Sequence, residues 1–111
     1  MPNSRVPSQA ASTMSLVLSY EECLQYVQNE LNSFMHGELK PWTERQQLNY
    51  SMIVNVKNGR VPRPIPKLVQ KIMGLFGFHL QARRVKQQDR FVAEYTLADA
   101  EEIKAFVSQS N

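Results

Sequence analysis

Apolar residues recur at Tyr20, Leu24, Val27, Leu31 and Phe34, three or four apart, which is the stripe of an amphipathic helix. Ser19 followed by Glu22 forms a capping box at its start: the hydroxyl takes the Glu22 amide while the carboxylate reaches back. Glu21 and Glu22 suit the positive end of the helix dipole, and Gly37 marks the stop. Residues 40–43 read as a connector, with Thr43 as N-cap of a second helix and Glu44 in its first turn. Leu48, Met52 and Val56, with Ile53 beside them, give that helix a face over residues 44–57. A rival reading makes residues 52–56 a strand entering an Asn58-Gly59 hairpin. Its returning strand would hold Pro62, Pro64 and Pro66, each lacking a ladder donor, so a helix ended at Asn58-Gly59 is expected instead.

Pro66 suits the first turn of a third helix. Ile65, Leu68, Val69, Ile72, Met73 and Phe76 form its apolar face, with Lys67, Gln70 and Lys71 on the other. Gly77 stands where a left-handed residue closes a helix, and Phe78 supplies the accompanying hydrophobic contact. From there the period changes to two. Phe78, Leu80 and Ala82, then Phe91, Ala93, Tyr95 and Leu97, alternate with polar neighbours around a basic tip at 84–90. The pattern predicts a two-stranded antiparallel ribbon with one apolar face. Asp99 with Glu102 opens a short C-terminal helix whose buried side is Ala100, Ile103, Phe106 and Val107. Residues 1–18, with Pro2, Pro7 and four serines, have no sustained period and read as a flexible leader or linker ahead of one domain at 19–111.

Composition narrows the chemistry. At 111 residues and 42% apolar content the chain supports one modest core. No apolar run approaches the roughly 20 residues of a membrane span, and no secretory signal opens the chain, so a soluble cytoplasmic protein is expected. A single cysteine rules out an internal disulfide, and with only His36 and His79 no metal site is expected. Cys23 lies among apolar helix positions without an adjacent base and reads as a small core residue. Trp42 reads as a core anchor, Tyr50 and Tyr95 as packing residues with a polar tip, and His79 as an exposed strand residue. There is no glycine-rich phosphate loop, ligand spacing or acid pair, so neither an enzyme nor a cofactor is expected.

Charge is distributed unevenly. Residues 57–90 hold Lys57, Arg60, Arg63, Lys67, Lys71, Arg83, Arg84, Lys86 and Arg90 against Asp89 alone, a net +8. Residues 1–56 carry −2 and residues 91–111 carry −3. A basic block between acidic flanks points to a polyanionic partner.

Three helices, a two-stranded ribbon and a final helix follow the order of an α+β winged helix-turn-helix domain, with the third helix for recognition and the ribbon as wing. The expected nucleic-acid-binding residues are Arg60 and Arg63 in the turn before the third helix, and Lys67, Gln70 and Lys71 on it. Arg83, Arg84, Lys86 and Arg90 complete the set on the wing. Lysine and arginine neutralise phosphates, while Gln70 has the groups to read adenine and lysine those to read guanine. The alternative for Gln70 is a solvent-facing helix residue. Arg84 or Lys86 would enter a minor groove or, more simply, meet phosphate.

The run from Gly77, Phe78 and His79 through Arg83-Arg84-Val85 to Arg90 and Tyr95-Thr96-Leu97 resembles the wing region of winged-helix domains at the ends of plasmid and phage replication proteins of primase–helicase type. That resemblance spans roughly the last 50 residues. It implies a module that binds double-stranded DNA within, or beside, replication machinery or a mobile element. A second expectation uses the same fold as a protein-interaction module, a regulator or inhibitor docked on an acidic protein surface.

Overall fold

The computed structural model describes residues 15–110. Along them run β1 (Leu16–Ser19), α1 (Tyr20–Asn32), α2 (Leu39–Arg45), α3 (Tyr50–Lys57), α4 (Pro66–Leu75), β2 (Leu80–Gln87), β3 (Arg90–Leu97) and α5 (Ala100–Ser110). The result is an α+β fold in which the helices accompany a three-stranded antiparallel sheet of order β1-β3-β2.

The capping box of α1 forms on both sides: Glu22 donates its amide to Ser19 Oγ at 3.1 Å, and Ser19 donates its own to the Glu22 carboxylate at 2.9 Å. The helix stops at Asn32, ahead of Gly37, because the Ser33 amide and hydroxyl both turn back to the Glu30 carbonyl. Phe34 therefore lies beyond the helix, its ring centroid 5.1 Å from that of Trp42.

The helix expected over residues 44–57 is two helices. Thr43 lies inside α2, fully buried, and its hydroxyl donates to the Lys40 carbonyl at 2.7 Å instead of capping a following helix. Pro41 is tolerated there because an amide in the first turn has no intrahelical acceptor. The chain breaks at Gln47, which adopts a left-handed φ of 58°. Asn49 is the cap that the pattern hid: its side chain accepts from the Met52 amide at 2.9 Å and starts α3.

The ends of α3 and α4 follow one geometry. Gly59 and Gly77 both have positive φ. Behind each, two amides return to the last turn: Gly59 to Val56 and Arg60 to Asn55, then Gly77 to Gly74 and Phe78 to Met73. These are Schellman closures, and Phe78 is buried beneath the second one. At Gly77 φ is +100° and an added Cβ would meet no atom within 4 Å, so only the backbone resists a side chain. Gly77→Ala is expected to cost about 1–2 kcal/mol, read as a lower urea midpoint with an unchanged slope.

In the hairpin the ladder runs from Leu80↔Leu97 out to Gln87↔Arg90, so the segment expected as an unpaired basic tip is mostly strand. Only Gln88 and Asp89 form the turn, with Gln88 at φ 56°. The ribbon also has a third strand. Residues 16–18, assigned by pattern to the leader, form β1 and pair with β3 through Leu16↔Leu97 and Leu18↔Tyr95. Four residues are too few to show a period, and β1 needs β3 to exist at all. The folded unit thus includes residues 16–18; residues 1–14 of the expected leader lie outside the described residues.

The core joins Cys23, Val27 and Leu31 of α1 to Ile53 and Val56 of α3 and to Val69, Ile72 and Met73 of α4. Leu18, Leu80, Tyr95 and Leu97 supply the sheet side, and Ile103 and Phe106 the α5 side. Val107 and Ala100, expected inside, are exposed. No described helix is long and apolar enough to cross a membrane.

Candidate nucleic-acid interface

Strand pairing decides where the hairpin's cations point. Directly paired residues share a face and alternate along the strand. Leu80, Ala82, Arg84 and Lys86 therefore lie with Phe91, Ala93, Tyr95 and Leu97 on the face that covers the core. Arg83 and Arg90 lie on the other face, with Val85, Val92 and Glu94. The wing cations expected on one surface are split between two.

Where the hairpin outgrows the helices, its core face changes character. Tyr95 is fully buried and its hydroxyl donates to the Pro66 carbonyl at the start of α4, at 2.9 Å. Further out, Arg84, Lys86 and Phe91 are exposed, and the Arg84 guanidinium lies 4.7 Å from the Phe91 ring centroid. Period two alone marks Phe91 as buried. At 58% exposure it is a solvent-facing platform for a cation. On the opposite face Arg83 donates through Nε and Nη2 to Glu94 at 2.9 and 2.7 Å, so much of its charge is answered internally. Among the described residues it alone of the nine cations has a carboxylate within ion-pairing distance.

On α4, Lys67 and Lys71 are exposed and line a shallow groove of about 340 Å³ with Gln70, Gly74, His79 and Leu80. Gln70 is half-buried, and its Nε2 donates to the Leu80 carbonyl at 2.9 Å. That donor joins helix to strand, so Gln70 is neither free for a base edge through it nor the solvent-facing residue of the alternative expectation. Arg60 and Arg63 are exposed in the loop before α4. The backbone of that loop is tied down where Ile65 donates to the Tyr20 hydroxyl at 2.9 Å.

Two interactions lie outside the sequence expectations. Asp99 and Glu102 have the spacing of a second capping box, but only its Asp99 half forms, capping the Glu102 amide; the Glu102 carboxylate takes the His79 amide at 2.7 Å and pairs with the imidazole Nδ1 at 2.9 Å. This latch joins the start of β2 to α5, and no local spacing signals it. Tyr50, expected to pack, is exposed, with Lys40 Nζ 5.9 Å from its ring centroid. Trp42 does anchor: it is half-buried and stacks on Phe76 at 5.6 Å.

Nucleophilic chemistry has no support in the core. Cys23 is fully buried, and burial, then the charge of Glu22, pushes its thiol up to about 12. Burial and then Glu30 raise Tyr26 to about 12, and burial also raises Tyr95. Each of these groups is neutral when protonated and its native pKa is raised. Their stabilising contribution is therefore whole below the ordinary pKa and is lost as pH climbs towards the native one. Thermal melting is expected to hold steady up to about pH 9 and then fall as pH approaches 12. Native Cys23 is expected to resist a thiol reagent that labels it promptly in denaturant; prompt labelling of the native protein would contradict its placement. Among the described residues there is no group of three His, Cys, Asp or Glu side chains able to hold a metal ion. Comparison with protein families, with curated proteins and with solved structures yields no match.

Proposed function

We propose that this chain is a DNA-binding module of winged-helix type that holds the backbone of duplex DNA. The observation that carries the reading is the concentration of cations over residues 57–90, a net +8, on an exposed loop, the outer side of α4 and a projecting hairpin. A sheet ordered β1-β3-β2 with helices ahead of its hairpin is compatible with that architecture. Lys67 and Lys71 on α4, Arg60 and Arg63 before it, and Arg84 and Lys86 on the hairpin are the phosphate contacts. Each neutralised phosphate releases condensed counterions, which supplies affinity without sequence information. A role in replication or on a mobile element, and with it a cytoplasmic location, rests on the hairpin resemblance.

The test is an anisotropy titration of random duplex at several salt concentrations. With about five of these six cations neutralising a phosphate, log K against log salt should fall with a slope of about −4 to −5. Absence of duplex binding at low salt would sink the reading and favour an acidic protein surface as the partner.

A further inference from the structure

A DNA-binding protein that reads sequence needs hydrogen-bonding side chains, free of the core, on an element narrow enough to enter the major groove. The helix expected to do this, α4, is poorly equipped. Its Val69, Ile72 and Met73 are fully buried, Leu68 and Phe76 are packed against the core, and Gln70 is tied to the Leu80 carbonyl. Its outer side is left with Leu75 and two lysines, Lys67 and Lys71, which can read guanine but serve equally as phosphate contacts. Eight residues, including Pro62 and Pro64, separate it from α3.

The pair α2 and α3 is built differently. Only residues 46–49 join them, the span of a helix-turn-helix corner. That corner is well determined. The left-handed Gln47 reverses the chain, Leu48 donates to the Thr43 carbonyl at 2.8 Å, and Asn49 caps α3. The inner sides are closed by buried Thr43 on α2 and by buried Ile53 and Val56 on α3. Lys40 of α2 lies over Tyr50 of α3, bridging the two helices on the outside.

What α3 leaves outside is Tyr50, Ser51, Met52 and Asn55. Ser51 and Asn55 are four apart and so share one face, which Asn58 continues past the helix end. This strip is uncharged and offers hydroxyl, amide and thioether groups. Cations frame it: Lys40 and Arg45 on α2, then Arg60 and Arg63 beyond α3, are all exposed. A strip of neutral donors and acceptors inside a basic frame suits base edges flanked by phosphates.

We infer that α3, and not α4, is the helix that enters the major groove, with Asn55 and Ser51 as the principal base-reading residues. The inference rests on the DNA-binding reading and assigns its specificity. Asn55 has the paired acceptor and donor that match adenine N7 and N6, Ser51 can bond either purine or pyrimidine edges, and Met52 offers apolar contact for a thymine methyl. In this arrangement α2 crosses the backbone, and α4 with the hairpin supplies phosphate contacts further along the duplex.

The experiment is selection of duplexes from a random pool by the full chain, followed by anisotropy on the enriched duplex and a scrambled one. Wild type, Asn55→Ala, Ser51→Ala and a double Lys67→Ala, Lys71→Ala variant are compared, each with its thermal melt. Both α3 side chains are exposed, so their variants should melt as wild type does. Asn55→Ala should weaken binding to the enriched duplex by about 5–150-fold, leaving the scrambled affinity and the salt slope in place. The double lysine variant should weaken both duplexes alike and flatten the slope by about 2. Undiminished discrimination in Asn55→Ala and Ser51→Ala, or failure of any sequence to be enriched despite salt-dependent binding, would overturn the assignment to α3 while leaving DNA binding intact. Failure to bind any duplex would remove the parent reading and this inference together.

Discussion

Tyr95→Ala is expected to abolish a cooperative native state under physiological conditions. Tyr95 is the largest fully buried side chain among the described residues, and it sits mid-sheet, opposite Leu18 of β1 and Ala82 of β2. Truncating a buried aromatic costs about 3–5 kcal/mol through lost burial and an incompletely filled cavity. The Pro66 carbonyl loses its 2.9 Å donor as well, adding about 1 kcal/mol or more for an acceptor left unpaired in a half-buried site. Domains of this size hold about 5–15 kcal/mol in total, so the loss consumes much or all of the margin. Urea unfolding followed by far-ultraviolet circular dichroism should show a sloping, midpoint-less curve. Tyr95→Phe separates the two contributions: it keeps the ring, drops the hydroxyl and should lower stability by only about 1 kcal/mol. A Tyr95→Ala protein with a wild-type midpoint would mean that β3 is not the centre of the sheet.

Under the DNA-binding reading, Arg84→Glu with Lys86→Glu is expected to produce the largest loss of affinity of any surface pair. Both residues are exposed on the same side of the hairpin, beyond the packed core. Reversal removes two phosphate contacts and introduces two repulsive ones, so random-duplex affinity at about 50 mM salt should fall by about 100-fold or more. The slope of log K against log salt should become shallower by about 2. Folding should be little affected, because the native structure gives up only the Arg84 cation over the Phe91 ring, worth about 0.5–1 kcal/mol at an exposed site. Arg83→Ala is the internal comparison, because Arg83 lies on the opposite face and is already paired with Glu94. It should move DNA affinity least. If the double reversal leaves affinity and slope unchanged, the hairpin does not touch nucleic acid and the basic surface has another partner.

Several elements were legible because their determinants lie within one turn of helix. Ser19 and Glu22 are three apart, and both halves of their box form. Pro66 begins α4, and Gly77 with Phe78 closes it. The same locality explains the main misreading. Leu48, Met52 and Val56 keep a helical period across residues 44–57, so the pattern continues smoothly through a place where the backbone turns at Gln47. Thr43 and Asn49 are both acceptable caps by residue type, and burial of Thr43 decided between them.

The candidate site was legible as a charge count and not as a surface. The sequence locates nine cations in 34 residues, but only the register Arg83↔Glu94 and Lys86↔Phe91 sorts the four on the hairpin onto two faces. Phe91 shows the same limit. Its alternation with Val92 is that of a core strand, yet no core covers it and it is exposed.

Helix periods, caps, the proline start and glycine stop of α4, and the basic character of the central block were fixed by the residues themselves, since each depends on interactions spanning a few positions or on charge alone. The pairing of residues 16–19 with β3, the commitment of Gln70 to Leu80, the latch from His79 to Glu102 and the separation of α2 from α3 were decided by tertiary structure. Three of these join groups distant in sequence, and the fourth turns on which side of α2 is buried. Hydrogen bonds and burial of that kind take their energy from partners that no local period encodes.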